Sequence, residues 1–529
     1  MIPVPGSGGR LALAAVVLVL CLGPLHGAAA LDAAQTRGKQ IYLQGTSPGA
    51  GAIHAVVGDE EVTLPASAAP CASCHGPDGL GREEGGLLPP DIRWSQLTKT
   101  YGHVHQNGRR HQAFDEASFA RLLRAGLDPA DNRLDRAMPL YQMSEEDMAD
   151  LVAYLEHLEQ ERDPGVEEDR IQVGSLLPLR GSRGRLGQAM AQVMHAHFTD
   201  VNAQGGVFGR RIELLTVAYG ASPEATLENL RAAFRTEGIF ALVGAYTVGL
   251  DQELLELLRA EGAPLVGPFT LDPGDGFVDA AAFYMYPGLD EQARALANQA
   301  LTEASVRGAP MVIAGPAGSR VDRLVAAVQD QLRGRAAAEP VTVRYRPGEL
   351  DPGELAATVR ESGGAAVFFL GRPAGLEALL EALAVNKQDP RIYLLSSFVS
   401  RAVFEAPPAF HYRIFIAYPT LSSDFSANGR AAYQDLAQRH ALPRDHVQAQ
   451  VAAFAAAKLL VEGLRRAGSD LNRQRLIESL EGLYAYKTGL TPPLTYGPNR
   501  RIGARGAHVV AVDLMKKAYE PVGGWHELR

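Results

Sequence analysis

The pentapeptide Cys71-Ala72-Ser73-Cys74-His75 sets two thiols three positions apart, with an imidazole directly after the second. A haem attached through its vinyl groups needs two thiols that reach them and an imidazole that meets the iron, in that order. The stretch therefore predicts one covalent haem c, with Cys71 and Cys74 as its thioether residues and His75 as the proximal iron ligand. A disulfide between Cys71 and Cys74 would staple only a two-residue gap and leave His75 without a part. A structural zinc would want a second pair of Cys or His ligands at zinc spacing. The one other cysteine, Cys21, stands in an apolar N-terminal run.

Working outward toward the C-terminus, Arg136-Ala137-Met138-Pro139-Leu140-Tyr141 offers Met138 as the distal iron ligand, with Pro139 fixing the local backbone. A thioether raises the haem potential relative to two imidazoles and suits an electron carrier. Met143, Met148, His103, His105 and His111 compete for that role, and plain packing is the usual fate of a methionine. Ser144 and Asp147 then start a helix whose apolar positions Met148, Leu151, Val152, Leu155 and Leu158 share one face with Tyr154 close by. On the other side of the motif, a short helix from about Ala33 to Leu43 carries Gly38 and Tyr42, a small residue and an aromatic that a later helix can cross closely.

Gly38 and Tyr42, the attachment motif, Met138-Pro139 and the final Asp150-Leu151-Val152-Ala153-Tyr154-Leu155 resemble the class I cytochrome c family over about residues 33 to 158. The resemblance implies an all-α domain in which Cys71 and Cys74 hold haem, His75 is proximal and Met138 distal. One departure is the insertion between Tyr42 and Cys71, with Gly49, Gly51, Gly58 and Pro65, which is expected to form a hairpin against the haem edge.

The N-terminus reads as an export signal. Arg10 precedes an apolar run from Leu11 to Leu22, and Ala28 and Ala30 suit cleavage before Leu31. The run is shorter than the roughly 18 residues that span a bilayer. With 529 residues, 46% hydrophobic, 21% charged and a net charge of -9, the chain predicts two or three folded domains. It has no polybasic face for nucleic acid or membrane. No later apolar run reaches spanning length, so a periplasmic, non-integral protein is expected. The boundaries read as signal 1–30, cytochrome domain 31–160, linker 161–169 and second domain 170–529. The linker is charged and interrupted by Pro164 and Gly165, with almost nothing to bury.

Beyond it, short apolar runs at 171–177, 212–217, 240–243, 264–266, 311–314, 365–370, 392–395 and 414–417 suit strands buried on both faces. Amphipathic stretches at 186–202, 225–237, 250–261, 291–304, 321–333 and 375–383 separate many of them. The alternation predicts βαβ units and parallel sheet, in two lobes because the length exceeds what one open sheet needs.

The order of Ile171-Gln-Val-Gly-Ser-Leu-Leu-Pro-Leu, Leu186-Gly187-Gln188, Asn202-Ala-Gln-Gly-Gly-Val-Phe-Gly209-Arg210, Val243-Gly244 and Ala263-Pro264-Leu265-Val266 is similar to the leucine/isoleucine/valine-type periplasmic binding proteins. The resemblance implies a type I fold of two α/β lobes closing on a small ligand. In that family, loops after the first, fourth and fifth strands give hydroxyls and amides to an amino acid. The matching positions put Ser182, Thr247, Phe269 and Thr270 at the cleft. Leu271 stands where a hydroxyl is expected, and Ser319-Arg320 where the family often has Tyr-Gly, which argues against an ordinary α-amino acid. Tyr418 follows a strand and is a further cleft candidate, with structural burial as its alternative. Ser396, Ser397, His195, His197, His411 and His446 show no nucleophile-base spacing, so no catalysis is expected.

Two functions follow as expectations. One is a periplasmic electron carrier with a redox partner protein, coupled to a solute-binding domain. The other is a solute receptor of the importer type, with a small-molecule ligand in its cleft and the haem as sensor. Haem-based catalysis would need an open iron position.

Overall fold

The computed structural model describes residues 31–49, 51–58, 61–81, 86, 88–105, 108–273 and 281–528. The expected signal segment therefore lies outside the described residues. By internal contacts the chain divides into two compact units, Met1–Arg162 and Asp163–Arg529.

In the first unit the helices Ala33–Gln44 and Glu145–His157 cross closely. Asp32 caps the first, accepting from the Gln35 N–H while Gln35 reaches back to its own N–H. Ser144 caps the second by accepting from the Asp147 N–H at 3.0 Å. Gly38 makes the approach possible, since a Cβ there would lie 1.9 Å from the Asp150 carbonyl oxygen. Arg37 adds a two-pronged bond to the Asp150 carboxylate at 2.6 and 2.7 Å, and the Tyr42 and Tyr154 rings pack at 5.5 Å. Ile41, Tyr42, Leu151, Tyr154 and Leu155 are nearly sealed from solvent, each contributing on the order of 1.5–3 kcal/mol by burial.

The insertion does form a hairpin. His54–Val57 pairs antiparallel with Val62–Pro65, and on its other edge with Leu140–Gln142, the strand that begins just after Met138-Pro139. Besides the expected helices, this unit thus holds a three-stranded sheet and a small pairing of His103–Val104 with Arg110–His111.

Among its described residues the second unit holds two sheets. The first is parallel, in the order Ala282–Phe283, Leu265–Val266, Ala241–Val243, Arg170–Leu177, Arg211–Ala218. The second runs parallel from Val341–Tyr345 through Met311–Pro316, Ala366–Phe369 and Arg391–Leu395 to Ile414–Tyr418. It then continues antiparallel with Gly506–Asp513 and Ala518–Pro521. All eight expected strands form. The wholly parallel expectation is corrected at this edge, because the chain leaves Tyr418 for helices of the first lobe and re-enters beside that strand from the opposite direction instead of crossing over its own sheet. Helices cover both faces of each sheet, with separate apolar clusters on each side. Phe368, Tyr393 and Phe415 stack across three neighbouring strands at 4.8 and 5.2 Å, which rivets the centre of the second sheet.

Chain passes between the lobes after Phe283, after Tyr418 and before Gly506, and helices Ala427–Arg439, Val447–Ala467 and Arg473–Glu481 rejoin the first lobe. Val447–Ala467 is long and apolar enough to cross a membrane, which a search for unbroken apolar runs passes over because Gln448, Gln450, Lys458 and Glu462 interrupt it. Here it is a core helix, with Ala455, Ala456, Leu459 and Leu460 fully buried. Residues 163–169, expected to bury almost nothing, pack as part of this unit. Val166 is 5% exposed and bridges Ile171, and the Asp163 carboxylate accepts from the Arg473 N–H.

Candidate functional site

The pentapeptide itself forms one short helix, Cys71–His75, entered through Pro70 and left through Gly76 at φ +73°. Both thiols are free, Cys71 buried and Cys74 exposed. Burial pushes the Cys71 thiol up to about 12, so it stays a neutral thiol until something reacts with it. The His75 side chain is 4% exposed, and its Nδ1 lies 3.0 Å from the Pro90 carbonyl oxygen. A carbonyl can only accept, so Nδ1 carries the proton and Nε2 keeps a bare lone pair. Burial also holds this imidazole below its ordinary range, favouring the neutral, ligating form.

Two phenols brace the helix. The Tyr42 hydroxyl donates to the Gly76 carbonyl at 2.6 Å, just after His75, and the Tyr141 hydroxyl donates to the Ala69 carbonyl at 2.7 Å, just before Cys71. Burial raises both phenols above their ordinary range, so both remain donors. Tyr141 sits on the strand that follows Met138, so the Met138 loop and the thiol helix share a fastening. Met138 is half-buried against the apolar cluster that contains Cys71, Leu97, Phe114 and Phe119. Met148 is buried in the core helix, and Met143 packs at the cluster's edge. The competing histidines are engaged elsewhere. His103 Nε2 meets the Leu97 carbonyl at 3.1 Å, His111 Nδ1 the Gln112 carbonyl at 2.7 Å, and the Nε2 atoms of His105 and His111 lie 2.9 Å apart. Two free thiols, an imidazole with an open Nε2 and a thioether on the same core make a donor set that fits a c-type haem.

In the second unit the loops at the carboxyl ends of the parallel strands, where open α/β sheets bind ligands, bring side chains of both lobes together. From the first lobe come Arg183, Tyr219, Tyr246, Thr247, Asp251, Phe269 and Thr270. The Tyr246 and Phe269 rings stack at 5.6 Å and 13°, and the Arg183 guanidinium lies 5.7 Å from the Tyr246 ring. Asp272 reaches across to Arg320 of the second lobe at 2.8 Å and to Arg323 at 3.2 Å. Thr247, Phe269 and Thr270 are thus brought together, and Ser182 lies exposed in the turn beside Arg183. Both threonine hydroxyls, however, donate to one oxygen of Asp251, Thr247 at 2.5 Å and Thr270 at 2.6 Å. Tyr418 stands at the carboxyl end of its strand with its ring 5.8 Å from Tyr519, and burial raises its phenol above the ordinary range. Asp251, Tyr219 and Pro90 were not anticipated. Asp251 had a faint signal, an acid at a helix start four residues after Thr247.

Fold and site together define a two-lobed α/β solute-binding architecture preceded by a cytochrome c domain. The Periplasmic binding protein family profile matches residues 170–518 and the Cytochrome c profile residues 66–159. The chain belongs to the periplasmic binding protein family, with a cytochrome c domain at its N-terminal side. No curated protein matches it in sequence. Among solved structures it is similar to a periplasmic binding protein type 1 from Bordetella pertussis Tohama I, at 16% identity and TM-score 0.53, covering 67% of this chain and 100% of that one. A branched-chain amino acid ABC transporter protein from Thermus thermophilus with bound valine matches at 15% identity and TM-score 0.52, covering 68% and 97%. A fatty acid ABC transporter substrate-binding protein from Thermomonospora curvata matches at 16% identity and TM-score 0.50, covering 70% and 95%. Likeness at this level is likeness of fold.

Proposed function

We propose that this protein is a periplasmic electron carrier in which one haem c, joined covalently to Cys71 and Cys74, is ligated by His75 and Met138, and in which the second unit binds a small solute. The observation that carries the haem assignment is the contact of His75 Nδ1 with the Pro90 carbonyl at 3.0 Å: it spends the Nδ1 proton of a buried imidazole and leaves Nε2 as the ligating atom, in the same short helix as two free thiols. When bound, such a haem supplies one-electron exchange with a redox partner protein. The chain's own residues do the rest. Tyr42 and Tyr141 hold the thiol helix at both ends, His75 is kept neutral by burial, and the apolar cluster shields the ring from water. Export through residues 1–30 accords with the compartment in which such haems are attached.

The test is expression of the full chain in cells that mature c-type cytochromes, followed by denaturing electrophoresis and detection of bound porphyrin. Wild type should retain porphyrin and the Cys71→Ala, Cys74→Ala double variant should retain none. A colourless wild-type chain overturns the proposal.

A further inference from the structure

Lys458 is a half-buried cation on the helix Val447–Ala467, with its Nζ 5.7 Å from the Phe454 ring. Among the described residues it donates to the Thr488 carbonyl oxygen and no carboxylate pairs with it. Burial holds its ammonium below the ordinary lysine range. Two turns along the same face of the helix, Arg465 carries a second cation that meets no acceptor among the described residues. Facing them from the helix Gly184–Ala203, the His197 ring meets Phe454 edge-on at 5.0 Å and 78°, and its Nε2 is buried without a hydrogen-bond partner. Burial, then Lys458, disfavour the charged form of this imidazole, and Arg465 adds to the effect.

His197, Lys458 and Arg465 line one cavity of about 300 Å³. Its carboxylates are already matched. Asp200 accepts from Arg439 at 2.6 Å and lies 2.8 Å from His440 Nε2, Asp435 accepts from Arg439 at 2.8 Å, and Glu462 accepts from Arg466 at 2.7 Å. With Arg466 included, four full positive charges stand against three negative ones. The two cations without a carboxylate are the two that adjoin the unpartnered Nε2. Like charges gathered around a polar cavity repel one another, and an anion set between them relieves that cost. The helix Gly184–Ala203 begins beside the cleft turn and rises roughly 20 Å by its fourteenth residue, His197. The cavity therefore lies toward the far end of the first lobe, away from the cleft.

We infer that this cavity is an anion site, separate from the solute cleft, which takes a small doubly charged oxyanion, a phosphate or a dicarboxylate. Lys458 and Arg465 supply the charge, Arg465 as a planar fork that can meet two oxygens at once, and His197 Nε2 supplies a third donor. The volume stands at the lower bound of small-molecule sites, which suits a small ion. Such a site stands whether or not the cleft binds a solute.

Calorimetric titration of the full, haem-loaded chain with phosphate and with succinate, at constant ionic strength in a chloride background, tests it. At least one of the two should bind saturably, and the arm that binds identifies the oxyanion. Lys458→Met and Arg465→Gln should each weaken that binding by about tenfold or more. Arg465 is exposed, so its variant keeps the test open should the half-buried Lys458→Met fail to fold. If neither anion binds above the chloride background, or if a folded variant binds as tightly as wild type, the anion site is overturned. Neither failure bears on the haem or on solute binding in the cleft.

Discussion

The two units store their chemistry in different ways. In the first, five consecutive residues carry both thiols and the imidazole, and one apolar cluster takes in Cys71 while Cys74 stays exposed. In the second, the cleft gathers Arg183, Tyr219, Tyr246, Asp251, Phe269 and Arg320 from loops at the ends of separate strands, above sheets whose cores lie on both faces. A contiguous site is built by local geometry and borrows stability from a small core. A dispersed site needs the whole two-lobed frame to exist before any of its residues meet. The first should therefore fail at single backbone positions, and the second by loss of core volume.

Four measurements sharpen or break that contrast. The largest effect is expected from Leu460→Ala, in the fully buried centre of the helix Val447–Ala467. It should destabilise the second unit by about 2–5 kcal/mol, seen as a lowered denaturation midpoint while the haem absorption of the first unit is unchanged. Next comes Gly38→Ala. A Cβ 1.9 Å from the Asp150 carbonyl oxygen and 2.7 Å from the Tyr154 Cβ forces the two helices apart, at about 3 kcal/mol. This loss should appear in the first unit alone, and equal losses in both transitions would contradict their independence.

Acid should act on the second unit through His197. Its Nε2 is buried without a hydrogen-bond partner, and burial, then Lys458, hold the imidazole at about 4 against an ordinary 6.5. The unfolded chain takes up this proton near pH 6.5, whereas the folded unit refuses it until about pH 4. The stability it contributes is thus whole above pH 6.5 and is lost as pH falls through that window. His197→Phe should flatten the decline in melting temperature between those values by the equivalent of up to about 3 kcal/mol. An unchanged slope would assign the acid sensitivity to other groups.

Smallest is Tyr141→Phe, which removes the phenol's bond to the Ala69 carbonyl and should cost the first unit about 1 kcal/mol. Because Tyr141 fastens the Met138 loop to the thiol helix, the ligation proposed above has this variant also weaken the absorption band of thioether-ligated ferric haem. A variant that loses stability with that band intact would make Tyr141 a packing residue only.

Much of this was legible in the chain itself. Cys71-Ala72-Ser73-Cys74-His75 announces its chemistry because attachment needs those residue types in that order, and the strands of the second unit announce themselves because burial on both faces demands continuous apolar runs such as Ile171 to Leu177 and Ile392 to Leu395. Elements without such a pattern stayed hidden. Val341–Tyr345 is a partly exposed edge strand, and Gly506–Asp513 joins its sheet antiparallel through contacts with residues about a hundred positions earlier. Within the cleft, Thr247 and Thr270 could be nominated from loop position. That both spend their protons on Asp251 could not, since hydrogen-bond partners 19 residues apart meet only when two strands lie side by side. Local covalent order determined what the first unit can hold. Only the packing of distant loops onto one edge decided what charge the second unit presents to a ligand, because electrostatic character depends on distances through space that the order of residues does not specify.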